Sequence, residues 1–148
     1  MNRCWMVPLA FSCLFAACAQ GTRVEYFPPV PPPHNPGLPF AVAVRVGDML
    51  YLAGQVGDDD SGALVPGGIE AETRQALENI RDELELRGSS LDRVVRCLVM
   101  MADIGEWQRM NEVYITFFPR HRPARSAMGA NGLVLGARVE IECTAVVG

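Results

Sequence analysis

The sequence predicts an α+β fold: a mixed sheet with two helices on one face, in the order β-β-α-β-α-β-β. Three observations carry this. Ile69, Thr73, Ala76, Leu77, Ile80 and Leu84 recur at helical spacing, with Glu and Arg between them. Val94–Ala102 is apolar apart from Arg96, which reads as a strand buried on both faces. Val139, Ile141, Cys143, Ala145 and Val147 alternate with Glu140, Glu142 and Thr144, the period of a half-buried strand. A chain of 148 residues suffices for one domain with a sizeable core. Its formal net charge of −4 makes general nucleic-acid binding a poor starting point.

The first nineteen residues stand apart. Met1-Asn2-Arg3 is a short positive start, Trp5 to Ala17 is apolar or small, and Ala17-Cys18-Ala19 supplies an A-x-A cleavage pattern. Residues 1–19 therefore read as an export signal, too short for a comfortable transmembrane helix. Phe15-Ala16-Ala17-Cys18 also resembles a bacterial lipobox, with cleavage before Cys18 and a lipid on its sulfur. A freely secreted or periplasmic protein and a lipoprotein both stay open at this point. Residues 20–39 hold seven of the eleven prolines and read as an extended linker, which leaves 40–148 as the folded domain.

Within that domain, Ala41–Val46 and Met49–Val56 are strand-like runs around a tight turn at Gly47-Asp48. Asp58-Asp59-Asp60 hints at calcium, but an acidic turn without further ligands at proper spacing is the default. Gly88 closes the first helix. Ile104, Trp107, Met110, Tyr114, Phe117 and Phe118 define a second helix, stopped by Pro119. Cys97 and Cys143 sit in apolar strands, where cysteine is most often a small core residue; export would permit a disulfide but the spacing demands none. With His34 and His121 isolated, no metal is expected.

Asn131-Gly132 is a hairpin signal, so Ala124–Ala130 and Ala137–Val147 are expected to pair as antiparallel neighbours. Closing that hairpin around Gly132-Leu133 sets Arg125 opposite Glu140. By default such a pair is a cross-strand ion pair worth a few tenths of a kcal/mol. The uncovered face would carry Glu140, Glu142, Thr144 and either Arg125/Ala127/Gly129 or Ser126/Met128/Ala130. It is too mixed for bulk exposure and suits packing against another copy of the chain.

Seven blocks then fall in one order: Ala43-Val44-Arg45-Val46-Gly47, Ala53-Gly54-Gln55, Glu72-Thr73-Arg74-Gln75-Ala76-Leu77-Glu78-Asn79-Ile80, Asn111-Glu112-Val113-Tyr114, Phe117-Phe118-Pro119, Pro123-Ala124-Arg125-Ser126 and Val139-Glu140-Ile141-Glu142. In this order, over Phe40 to Val147, the chain resembles the RidA/YjgF family of reactive-intermediate (enamine/imine) deaminases. The resemblance implies a chorismate-mutase-like fold, a homotrimer with clefts between subunits, and hydrolysis of 2-imino acids to 2-keto acids and ammonia without a cofactor. Carried over by position, Arg125 would grip the substrate carboxylate, Glu140 would orient or activate water, and Asn111 would line the cleft. The chain departs from the family's active deaminases at Phe40 (usually Tyr), Ala53 (usually a hydroxyl residue) and Ala127 (often Cys).

Together with the export signal, the resemblance implies an imine deaminase outside the cytoplasm that is weak or of altered substrate range, with Arg125 and Glu140 on one chain's hairpin and the opposite wall from a neighbour. The alternative is a non-catalytic trimer that uses Arg125 to hold a small carboxylate, motivated by the hydroxyls missing at Phe40 and Ala53. RNA cleavage would rest only on Arg120-His121-Arg122, a short basic cluster in an acidic chain.

Overall fold

The computed structural model describes residues 21–29 and 38–148; residues 1–20, with the expected export signal and the expected lipidation of Cys18, and residues 30–37 of the expected linker lie outside the described residues. Nine elements follow in chain order: β1 (Val24–Phe27), β2 (Ala43–Val46), β3 (Met49–Leu52), β4 (Gln55–Val56), α1 (Gly68–Leu86), β5 (Val94–Met101), α2 (Trp107–Phe117), β6 (Ala124–Gly129) and β7 (Val139–Val146). They build one mixed sheet in the order β1-β2-β3-β7-β5-β6, with β4 also paired to β7.

Both helices lie on one face, as the sequence predicts. Ile69, Thr73, Ala76, Leu77, Ile80 and Leu84 of α1 and Met110, Val113 and Tyr114 of α2 are buried. Against them pack Val139, Ile141, Cys143 and Ala145 of β7 and Cys97, Val99 and Met101 of β5. Gly88 ends α1 in the left-handed region at φ 74°, where glycine has no Cβ to strain. β2 and β3 form the expected hairpin, Val46 facing Met49 across Gly47-Asp48.

Three expectations are corrected. Part of the linker is structure: Val24–Phe27 pairs antiparallel with β2, Phe27 opposite Ala43. The segment Val-Glu-Tyr-Phe is rich in strand-forming residues, and Pro28-Pro29 end it at a sheet edge, where a missing N–H costs nothing. The second correction concerns β5, whose residues alternate: Leu98 and Met100, on the face away from the helices, are only half-buried in a single chain.

The third correction matters most for function. β6 and β7 are not a hairpin. β6 pairs parallel with β5, and β7 pairs antiparallel with the other side of β5. The β5-α2-β6 segment is a crossover unit, which places β6 beside β5 and parallel to it. The remaining edge of β5 is then open to β7, which inserts between β5 and β3. Asn131-Gly132 sits in a longer connection across the end of β5, held by Ala130 N donating to Met101 O and Ala102 N donating to Arg138 O.

Cys97 and Cys143 face each other on β5 and β7 and are joined as a disulfide, with Cα atoms 4.2 Å apart. Asp58-Asp59-Asp60 serves its own turn: Asp59 Oδ1 accepts from Ser61 N at 2.9 Å, and Asn79 Nδ2 donates to Asp58 O at 3.0 Å.

At Gly57 the backbone of α1 packs directly against the residue that follows β4. A Cβ there would lie 2.5 Å from Glu72 Cα and 2.6 Å from Glu72 O, backbone atoms that cannot step aside. Gly57→Ala is expected to destabilise the fold by about 1–3 kcal/mol through overpacking, read as a lowered urea midpoint at unchanged slope.

Candidate active site

The strand register decides which candidate residues can meet. Arg125 is level with Cys97, and Cys97 with Cys143, so all three point to the helix-covered face. Glu140 is three positions from Cys143 on the same strand, an odd offset, and points the other way. It is level with Met100 and, beyond it, Met128. Within one chain Arg125 and Glu140 therefore occupy opposite faces of the sheet, two strands apart. The cross-strand pair and the shared hairpin expected from the sequence do not form, and Ser126/Met128 is the set that joins Glu140, Glu142 and Thr144.

Arg125 lies at the sheet edge beneath α2. Its guanidinium carbon is 4.6 Å from the Tyr114 ring centre and 5.9 Å from that of Trp107. No carboxylate forms a salt bridge with it among the described residues. A guanidinium held by ring faces keeps its planar fork of donors for a ligand. Tyr114 is itself buried, which pushes its hydroxyl up to about 12 against the opposing pull of Arg125. That hydroxyl has no hydrogen-bond partner among the described residues. Asn111 is half-buried on α2, between Trp107 and Tyr114 on one helical stripe. Ala127, level with Val99, packs half-buried against the core.

Glu140 belongs to the second half of the site. A Cβ on Gly54 would lie 2.0 Å from Glu140 Oε1, so the carboxylate rests directly on this glycine. Burial pushes the Glu140 carboxyl above the ordinary glutamate value, and the like charge of Glu142 adds to that. Beside Gly54 opens a cleft of about 340 Å³ lined by Leu38, Phe40, Ala53, Val134 and Leu135 among others. Phe40 and Ala53 thus accompany Glu140, whereas Asn111 and Ala127 accompany Arg125.

Sequence reasoning assigned Trp107 and Tyr114 to a helix core and overlooked their contact with Arg125. The i, i+4, i+7 spacing of Trp107, Asn111 and Tyr114 was the available signal. Gly54 and Leu135 were not legible as site residues, because what they touch arrives from distant parts of the chain.

The family model described as Endoribonuclease L-PSP matches residues 33–147. A mouse protein named 2-iminobutanoate/2-iminopropanoate deaminase is 43% identical over 111 residues, covering 74% of this chain and 82% of its own. The human protein of that name is 40% identical over 111 residues, covering 74% and 81%. Among solved structures, a putative endoribonuclease from Thermotoga maritima superposes with a TM-score of 0.71 at 41% identity, covering 74% of this chain and 87% of its own.

Gly54 offers a direct test of the Glu140 placement. The atom that Gly54→Ala displaces is the free end of a flexible side chain, so the fold should tolerate it while the carboxylate moves. Misplacing a catalytic group by about 1 Å costs on the order of 100-fold. Gly54→Ala is expected to lower kcat/KM for imine hydrolysis by about 10–100-fold with a urea midpoint near wild type.

Proposed function

This chain belongs to the Endoribonuclease L-PSP (RidA/YjgF) family, and we propose that it is a hydrolase that converts 2-imino acids to 2-keto acids and ammonia. The observation that carries this is Arg125. It is an arginine seated on aromatic rings, without a carboxylate partner among the described residues, in a chain about two-fifths identical to proteins named imine deaminases.

The chemistry follows from the residues. An imino acid presents a planar carboxylate next to an electrophilic C=N carbon. The guanidinium of Arg125 takes the carboxylate by two parallel hydrogen bonds and so fixes the plane of the substrate. Glu140 holds a water at the imine carbon and accepts its proton as the C–O bond forms. The tetrahedral adduct then collapses to the ketone; the proton is returned to nitrogen, and ammonia leaves. A carboxylate raised by burial is a better base than one in water, which suits Glu140 to this step.

A site that uses both residues needs two chains, because each chain turns them to opposite faces. We place the site at the seam of a homotrimer, Arg125 and Asn111 from one subunit facing Glu140, Phe40 and Ala53 of the next. The sheet face away from the helices supports this. Tyr26 is 69% exposed and Tyr51 46% on one side of the Glu140, Glu142 and Thr144 column, and Met128 is 49% exposed beside half-buried Leu98 and Met100 on the other. Large apolar side chains left open on both flanks of that column ask for a partner. The export reading, including a lipid on Cys18, is likewise our proposal. The N-terminal sequence supports it, as does the Cys97–Cys143 disulfide, which persists in oxidising compartments.

Subunit mixing tests the reaction and the shared site together. Arg125→Ala and Glu140→Gln proteins should each lose at least about 100-fold in ammonia release from freshly generated 2-iminopropanoate. Unfolded and refolded together in equal amounts, they should regain activity at about a quarter of the sites, those pairing an intact Arg125 with an intact Glu140. Wild-type activity in either single variant refutes the assigned roles; a mixture as inactive as its components refutes the shared site.

The pH profile gives a second test. Glu140 works ionised, and burial together with Glu142 raises its pKa, so the acidic limb of kcat/KM should lie above the ordinary glutamate value. Glu142→Gln removes a like charge, lowers the pKa of Glu140 and moves that limb to lower pH. A limb that stays in place or moves up contradicts Glu140 as the base.

A further inference from the structure

Four large apolar side chains left partly exposed converge on one place. Leu38 is 38% exposed, Phe40 50%, Val134 59% and Leu135 61%, and all four line the 340 Å³ cleft beside Gly54 and Glu140. Single exposed hydrophobes are ordinary; four in one cleft next to a candidate general base are not. Among the described residues the lining contains no Ser, Thr or Tyr hydroxyl, and its polar side chains are Gln55 and Asp58.

Leu135 sharpens the point. It is the only non-glycine among the described residues with positive φ, at 59°. A bulky residue seldom accepts this left-handed conformation, and such strain gathers at binding sites. Here it holds a leucine at the mouth of the cleft between two turn glycines, Gly132 and Gly136, which take φ 93° and 77° without strain.

We infer that this cleft is a side-chain pocket, and that the preferred substrates are 2-imino acids with a large apolar side chain, such as isobutyl, rather than methyl. The inference rests on the deaminase reading. With the substrate carboxylate on a neighbour's Arg125 and the imine carbon at Glu140, the third substituent of that carbon has the cleft to occupy. A methyl group leaves most of it wet. An isobutyl group displaces water from Phe40, Val134 and Leu135. The side chain is a spectator in the reaction, R–C(=NH2+)–COO− plus water giving R–CO–COO− plus NH4+. Discrimination therefore appears in kcat/KM.

The test uses the full chain and imines made in the cuvette by an amino acid oxidase acting on leucine or alanine. The isobutyl imine should be favoured at least about tenfold in kcat/KM, the low end for a hydrophobic pocket meeting extra methylenes. Leu135→Asn removes apolar surface while keeping a residue that tolerates the left-handed backbone, and it should shrink that ratio at least threefold. A wild-type ratio of one or below, or a ratio that Leu135→Asn leaves unchanged, overturns the inference. Calorimetry with the keto acids separates the two levels. If no imine is turned over, yet 4-methyl-2-oxopentanoate binds more tightly than pyruvate and Leu135→Asn removes the difference, the deaminase reading falls and the pocket stands. Equal binding of the two keto acids, or stronger binding of pyruvate, refutes the pocket.

Discussion

Cys97 fixes the geometry on which the site depends. It is buried at the middle of β5, joined to Cys143 on one neighbour and level with Arg125 on the other. Side chains that share a rung of a sheet share a face. Because the Cys97–Cys143 bridge lies under the helices, Arg125 must lie there too, and period-two alternation then sends Glu140 to the far side. No rotamer change can bring those two side chains together in one chain. The separation of the two side chains follows from strand order and counting, and the proposed two-chain site rests on it.

The two halves are prepared by different means. On one side, ring faces rather than carboxylates hold a cation in place, so its donors are not spent on a carboxylate among the described residues. On the other, a glycine lets a carboxylate lie against the backbone, where partial burial and a second glutamate raise its affinity for a proton. Each arrangement is mildly unfavourable for an isolated subunit: a guanidinium at an edge with no carboxylate partner among the described residues, and a half-buried carboxylate beside a second one, Glu142. In the proposed site both gain a partner, Arg125 a substrate carboxylate and Glu140 a water.

Much of this was legible in the sequence, and the failures have causes. Helix α1 was readable because its buried positions repeat without interruption from Ile69 to Leu84. The Met49–Leu52 hairpin was readable because its turn is short and local. β1 was hidden by the prolines that follow it, which signal irregular chain more strongly than four residues can signal a strand. The order of β5, β6 and β7 was not readable at all. Asn131-Gly132 is a true turn signal, but a turn signal reports local backbone preference, whereas the partner of a strand is settled by which edge of β5 is already taken. The residues of the site were found through motif order; their division between faces could come only from the register.

That division also explains why the connection from β6 to β7 can hold a strained leucine. The segment is pinned at both ends by groups outside it. Ala130 N donates to Met101 O at its start, and at its end Arg138 N donates to Glu72 Oε2 at 2.7 Å while Arg138 O accepts from Ala102 N. Glu72 is one of the few buried charged or polar side chains on α1, only 6% exposed, and this backbone N–H satisfies its carboxylate. These bonds fix its ends to β5 and α1. The cost of φ 59° at Leu135, of order 1–3 kcal/mol for a strained residue, is then borne by packing far from it. The helix that covers the core thus also holds the connection that shapes the cleft, and the same crossing of β5 that separates Arg125 from Glu140 carries Leu135 to Glu140's side.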